Sequence, residues 1–188
     1  MSVVISSVTG GEKLRAHLNR LAANLASAKS VSVGFLEGAT YPSDGGARLE
    51  SRAESMTEDQ KLANPDWYPR LKAWAAWQAK HQPVIGIAQV AFWMEFGTKT
   101  SPPRPFFRGT ISKHRGEWGG NLANLLKASD FNARVSLGQL GVLVSEQIRT
   151  SIVSWPTDNK PLTVFIKGFS HGLVDHGLMQ RHVDSVVT

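Results

Sequence analysis

Three prolines stand within four residues of this chain, at Pro102, Pro103 and Pro105. Each removes a backbone donor, fixes φ and pushes the residue before it out of the helical region, so neither helix interior nor central strand can run through 102–105. The stretch 101–105 is therefore an extended, stiff connector, and the elements on either side must close independently. On its N-terminal side, 85–97 is apolar on most sides and closes on Gly97, the residue type that suits a helix C-terminus. This predicts a buried strand-to-helix unit. On its C-terminal side helical texture resumes near Thr110.

Periodicity supplies the other elements. Leu14, Leu18, Leu21, Ala22 and Leu25 lie on one helical face, and Thr9 with Glu12 has the spacing of a capping box, which predicts an amphipathic helix over 11–28. Val31, Val33 and Phe35 alternate as a half-buried strand requires. From Gly38 to Pro83 the texture turns to Tyr41-Pro-Ser-Asp-Gly-Gly46 and Asn64-Pro-Asp-Trp-Tyr-Pro69, turn chemistry that reads as an inserted loop or mobile arm. Within it Leu71, Trp74 and Trp77 are three apart among good helix formers, which predicts a short helix ending before Pro83. Ile111, Trp118, Leu122, Leu125 and Leu126 give a weaker helix interrupted by Gly116, Gly119 and Gly120. Leu137, Leu140, Val144, Ile148 and Ile152 give a strong one over 133–154, stopped at Trp155-Pro156. The tail holds two short apolar runs, Val164 to Ile166 and a final one ending Val186-Val187, that read as strands. The fold class expected is α+β: one domain over 1–188, a small, mainly antiparallel sheet packed by two or three amphipathic helices, with 38–83 inserted as an arm.

Composition sets the outer limits. With no cysteine, disulfides, thiolate zinc sites and cysteine nucleophiles are excluded, which fits a reducing compartment. No apolar run approaches the roughly 20 residues that span a bilayer, and the N-terminus lacks the charged-then-apolar order of a secretion signal; a soluble protein is expected. The net charge of +6 is unevenly spread. Between 96 and 116 stand Lys99, Arg104, Arg108, Lys113 and Arg115 without an acid. Between 37 and 66 the seven acids Glu37, Asp44, Glu50, Glu54, Glu58, Asp59 and Asp66 meet only Arg48, Arg52 and Lys61.

Two motifs invite a catalytic or metal reading. Gly168-Phe169-Ser170-His171-Gly172 has the G-x-S-x-G form of a serine hydrolase elbow and follows the strand-like run 163–166. The mechanism needs a base and an acid brought from distant loops, whereas Asp175 and His176 are immediate neighbours, and the expectation is a glycine-flanked turn with an exposed serine. His171, His176 and His182, near Asp175 and Asp184, match neither the i, i+4 helix pair nor a finger spacing, so no metal site is expected. No catalytic residue and no cofactor are assigned.

The basic segment is interleaved with Phe106 and Phe107, a mixture that suits phosphate contact and base stacking, and a basic nucleic-acid-binding module is one alternative. Two adjacent phenylalanines behind three prolines fit a hydrophobic pocket on a partner better, with arginines as the polar rim. Trp67, Trp74, Trp77 and Trp93 place four of the six tryptophans in 27 residues, which is either core packing or an adhesive surface, and the arm 38–83 is too polar to hide its own without a partner.

Three segments read together resemble the neck, or tail-completion, proteins of long-tailed bacteriophages and prophages. They are Val33-Gly-Phe-Leu-Glu-Gly-Ala-Thr-Tyr-Pro42; Ala88-Gln-Val-Ala-Phe-Trp-Met-Glu-Phe-Gly-Thr98 leading into Pro102-Pro-Arg-Pro-Phe-Phe-Arg108; and Lys167-Gly-Phe-Ser with Leu173-Val-Asp-His-Gly-Leu178. The E-F-G-T turn followed by P-P-R-P-F is the most specific of them. The arm 44–82 departs from the family, as does His176 where the family more often has threonine. The resemblance implies a structural virion protein, not an enzyme. It would be assembled in the host cytoplasm and form a homo-oligomeric ring in the neck, between head-closure or connector proteins and the tail terminator or tail tube, with DNA passing through the channel and no membrane contact. Glu95, Phe96, Pro103, Arg104, Pro105, Phe106, Phe107 and Arg108 are the expected partner interface, and Trp67, Trp74 and Trp77 an inter-subunit arm. The acidic arm and basic loop are expected to pair between neighbours.

Overall fold

The computed structural model describes residues 10–35, 38–82, 84–156, 159–175 and 177–188. Thr9, Glu37, Pro83 and His176, which enter the expectations above, lie outside them. The chain runs α1 (Gly11–Leu25), β1 (Val31–Phe35), β2 (Thr40–Tyr41), α2 (Ala47–Glu54), α3 (Glu58–Ala63), α4 (Trp67–His81), β3 (Ile85–Gly86), α5 (Ile87–Phe96), α6 (Phe106–Ala128), α7 (Ala133–Val153), α8 (Pro161–Lys167), α9 (Leu178–Arg181) and β4 (Val183–Val187). The class is α+β, with two small antiparallel pairs, β1 with β4 and β2 with β3. In the second pair Thr40 faces Gly86 and Tyr41 faces Ile85.

The chain divides into two compact units. The described part of the first covers 10–34, 111–146 and 184–188. Ser30 and Thr188 exchange both backbone hydrogen bonds at 3.0 Å, which aligns the ends of β1 and β4. Helix α7 approaches this pair through Gly141, where a Cβ would lie 2.8 Å from the Val31 Cγ2 and 2.7 Å from the Ser185 Oγ. Only a residue without a side chain admits that distance. Helix α1 is tied down by polar contacts at its C-terminal half: Asn24 donates to the Asp130 carbonyl at 2.8 Å, Arg20 pairs with Asp130 at 3.1 Å, and the Arg134 amide donates to Ser27 at 3.1 Å. No residue of α1 is buried.

The second unit covers 35–110 and 147–183. Its helical core is built by α2 and α4, with Leu49, Ala53, Met56, Leu71 and Ala75 buried and Trp67, Tyr68, Leu162, Phe165 and Ile166 packed on them. The region expected to be a loop-rich arm is thus three helices with an interior of its own, and its charges are largely matched at home. Lys72 bridges Glu50 and Glu54, Lys61 pairs with Glu58, Arg70 with Asp66, and Arg48 with Asp175. Each helix has a local cause. Asp44 accepts the Gly46 and Arg48 amides at the start of α2, and Thr57 with Gln60 forms a reciprocal capping box at the start of α3.

Three further expectations change. The run 163–166 is helix α8, not strand: Pro161 occupies the first turn, Gly168 closes the helix at φ 84°, and Leu162, Phe165 and Ile166 share the face that meets the core. Helix α6 runs unbroken through Gly116, Gly119 and Gly120 and begins at Phe106, earlier than expected. The unit at 85–97 keeps only two residues of strand, and its helix is buried on one side at Ile87, Ala91 and Glu95 while Phe92, Trp93 and Phe96 are exposed.

Candidate functional site

The segment 94–108 folds back on itself around Gly97. Helix α5 ends there with φ 80° and ψ 175°, and a Cβ at this position would lie 2.8 Å from the Pro103 nitrogen and 2.9 Å from the Ser101 carbonyl oxygen. A side chain would have to displace backbone, so glycine is required both for its conformation and for the close approach. Thr98 closes the turn: its amide donates to the Ser101 carbonyl at 2.9 Å, and its hydroxyl accepts the Ser101 amide at 3.1 Å. The prolines then carry the chain back along α5, where the Arg104 amide donates to the Met94 carbonyl at 2.7 Å.

Glu95 joins the two helices. Its buried carboxylate accepts the Phe107 amide at 2.9 Å, the Arg108 amide at 3.0 Å and the Arg108 Nε at 2.8 Å. The amides belong to the first turn of α6, whose donors have no intrahelical partner and whose dipole favours a negative charge. Arg108 also donates to the Glu95 carbonyl at 3.1 Å and lays its guanidinium 4.6 Å from the centre of the Phe96 ring. Phe96 meets Phe92 at 4.7 Å between ring centroids.

The residues expected to form one interface therefore separate into an inner and an outer set. Phe106 is 1% exposed, stands edge-on to Phe35 at 6.2 Å, and cannot anchor a partner without leaving the interior. Arg104 is buried with its guanidinium at Ser101 and Met94, so it is no rim arginine, and Glu95 is a buried cap. Pro103, Pro105, Phe96 and Arg108 are exposed and Phe107 is half-buried. Sequence reasoning missed Phe92, 59% exposed, and named Trp93, 37% exposed, only among the clustered tryptophans; both extend the aromatic surface of α5. Their spacing to Phe96 is the available signal, and apolar residues on most sides of α5 do not by themselves tell which side is buried.

The tryptophans separate in the same way. Trp67 packs on the helical core, 5.6 Å from Phe165, and is not part of an exposed arm. Trp74 and Trp77 are about half exposed on α4, with Trp77 stacked on His81 at 4.7 Å. Within the chain, Lys72, Lys61 and Arg70 hold acids of the arm, while Arg104 and Arg108 are held at Met94, Ser101 and Glu95; Lys99, Lys113 and Arg115 are exposed.

Ser170 is exposed but follows a helix, not the strand an elbow requires. The His171 Nε2 lies 2.7 Å from the Val153 carbonyl, the His182 Nδ1 lies 2.8 Å from the Leu178 carbonyl, and Asp175 pairs with Arg48. Among the described residues no group of three His, Asp or Glu gathers to hold a metal. Set against protein families, curated proteins and solved structures, the chain matches none.

Proposed function

We propose that the chain is a structural neck protein of a long-tailed phage, a ring subunit that joins the head-closure complex to the tail. The observation that carries this reading is the mutual dependence of Glu95, Gly97, Thr98, Pro103, Arg104 and Phe106. The residues of the most specific matching motif form one turn-and-cap module, in which each is needed by another. A chance string of such residues has no reason to close in this way. The module holds Phe92, Phe96 and Arg108 outward on a rigid helix end, the kind of aromatic and arginine cluster on which binding energy concentrates.

The test is the pair Phe92→Ser and Phe96→Ser, both exposed, introduced into the phage or prophage that encodes the chain. Folded variant protein with tail-less heads and free tails under the electron microscope is the expected result. Infectious, fully joined particles at normal yield would overturn the assignment.

A further inference from the structure

The surface that the turn-and-cap module holds outward is positive, and its cations are not spent within the chain. Glu95 fixes the Arg108 guanidinium from one side: Nε donates to its carboxylate at 2.8 Å and Nη2 to its carbonyl at 3.1 Å, while Nη1 makes no hydrogen bond to any described residue. The end of the fork therefore stands open beside the Phe96 ring, on a side chain that is 55% exposed. Lys99, two residues beyond Gly97, is exposed and has no partner among the described residues. Lys160 donates to the Thr100 carbonyl at 2.8 Å, which sets a second ammonium on the same turn. Among the described residues of 84–110 and 159–167 the one acid is Glu95, buried and with both carboxylate oxygens engaged by Phe107 and Arg108. Asp158 lies outside the described residues.

We infer that this surface takes an acidic segment of a different protein. An Asp or Glu carboxylate sits on the open end of Arg108, with Lys99 and Lys160 at its rim, and an apolar side chain next to that carboxylate packs on Phe92 and Phe96. The inference rests on the reading of this surface as the joining contact, and adds the chemistry of what it meets.

Charge and geometry choose this occupant. The guanidinium is already held at two of its three nitrogens, so it meets a carboxylate in a fixed direction with little rotamer freedom left to lose. Positive charge without a counter-charge at home attracts an acidic partner on approach and repels a basic one. The rings suit a branched side chain better than a base. Arg108 lies over one face of Phe96 at 4.6 Å and Phe92 leans on the same ring at 4.7 Å and 41°, which leaves little of the open ring face on which a base stacks. A second copy of this chain has little to bring, because Glu50, Glu54, Glu58 and Asp66 already hold Lys72, Lys61 and Arg70.

The experiment is zero-length carbodiimide coupling in purified joined particles that contain the full chain, with the coupled peptides read by mass spectrometry. An amide between Nζ of Lys99 or Lys160 and an Asp or Glu of another virion protein is expected. It should vanish in Lys99→Arg with Lys160→Arg, which keeps the charge and the joining but not the reactive amine. No such amide in wild type, or one only to a second copy of this chain, overturns the inference. Lys99→Glu with Lys160→Glu, both exposed, is expected to lower the yield of joined particles about tenfold with an unchanged circular dichroism spectrum. Normal joining by that variant also overturns the inference; if Phe92→Ser and Phe96→Ser still prevent joining, the neck reading survives alone, and if they too join normally, both fall. Salt-sensitive binding of oligodeoxythymidine by the wild-type chain, lost in the double Glu variant, would overturn the inference by assigning the surface to nucleic acid.

Discussion

Removal of the Glu95 carboxylate measures how much the turn-and-cap module holds. In Glu95→Ala two amides at the start of α6 lose their acceptor, each a capping loss of about 1 kcal/mol. The Arg108 guanidinium loses its ion pair as well, and because its side chain is 55% exposed that term is discounted to roughly 0.5–1 kcal/mol. The sum is about 3 kcal/mol. Glu95→Gln keeps one acceptor oxygen but loses the charge and the second, and about half that cost is expected. Arg108→Ala removes the ion pair, the hydrogen bond to the Glu95 carbonyl and the Phe96 contact but leaves both amide caps, for about 1–2 kcal/mol. The assay is urea unfolding at one fixed protein concentration, with unchanged slope as evidence that the same surface unfolds. A Glu95→Ala variant within 0.5 kcal/mol of wild type would refute the reasoning. So would a Gln variant as costly as Ala, since the ranking follows from the number of acceptors left.

Two other outcomes follow from the geometry. Gly141→Ala gains helix propensity but drives a methyl into Val31, whose branched side chain has little room to turn. A net loss of about 1–2 kcal/mol is expected, read as a melting temperature several degrees lower, and an unchanged or raised value would show the approach of α7 to the strands to be looser than described. The Tyr41 hydroxyl is pushed up from its usual 10.0 to about 12, first by burial and then by the Asp175 charge. Its neutral form therefore contributes stability in full below pH 10 that is lost as pH rises through about 12, and ultraviolet titration against Tyr41→Phe should find one tyrosine ionising late. A Tyr41 hydroxyl ionising near pH 10 would contradict this burial.

Helices whose apolar period is regular, α1 and α7, and the strands β1 and β4 can be read within a few residues from the sequence. Helices α2 and α3 could not be read from periodicity, because eight- and six-residue helices show too little of it. Thr57-Glu-Asp-Gln60 did carry a capping-box signature, and it was passed over inside a stretch judged by its overall polarity. Helix α8 was misread because Val164 to Ile166 favours strand locally, while its burial period and the flanking Pro161 and Gly168 favour helix. At the candidate site the residues were found but their orientation was not. Whether Phe106 or Phe96 faces outward depends on where α5 lies, which neither segment encodes alone.

The inward commitment of Glu95, Gly97, Arg104 and Phe106 bears on how such a motif evolves. Residues occupied with shaping one another are constrained by folding, whatever the module touches. Phe92 and Trp93 lie outside that mutual constraint and are free to vary with the surface they meet. Two chains could then carry the same E-F-G-T and P-P-R-P-F string and present different outward faces on α5, so sharing the string would not by itself mean sharing a partner.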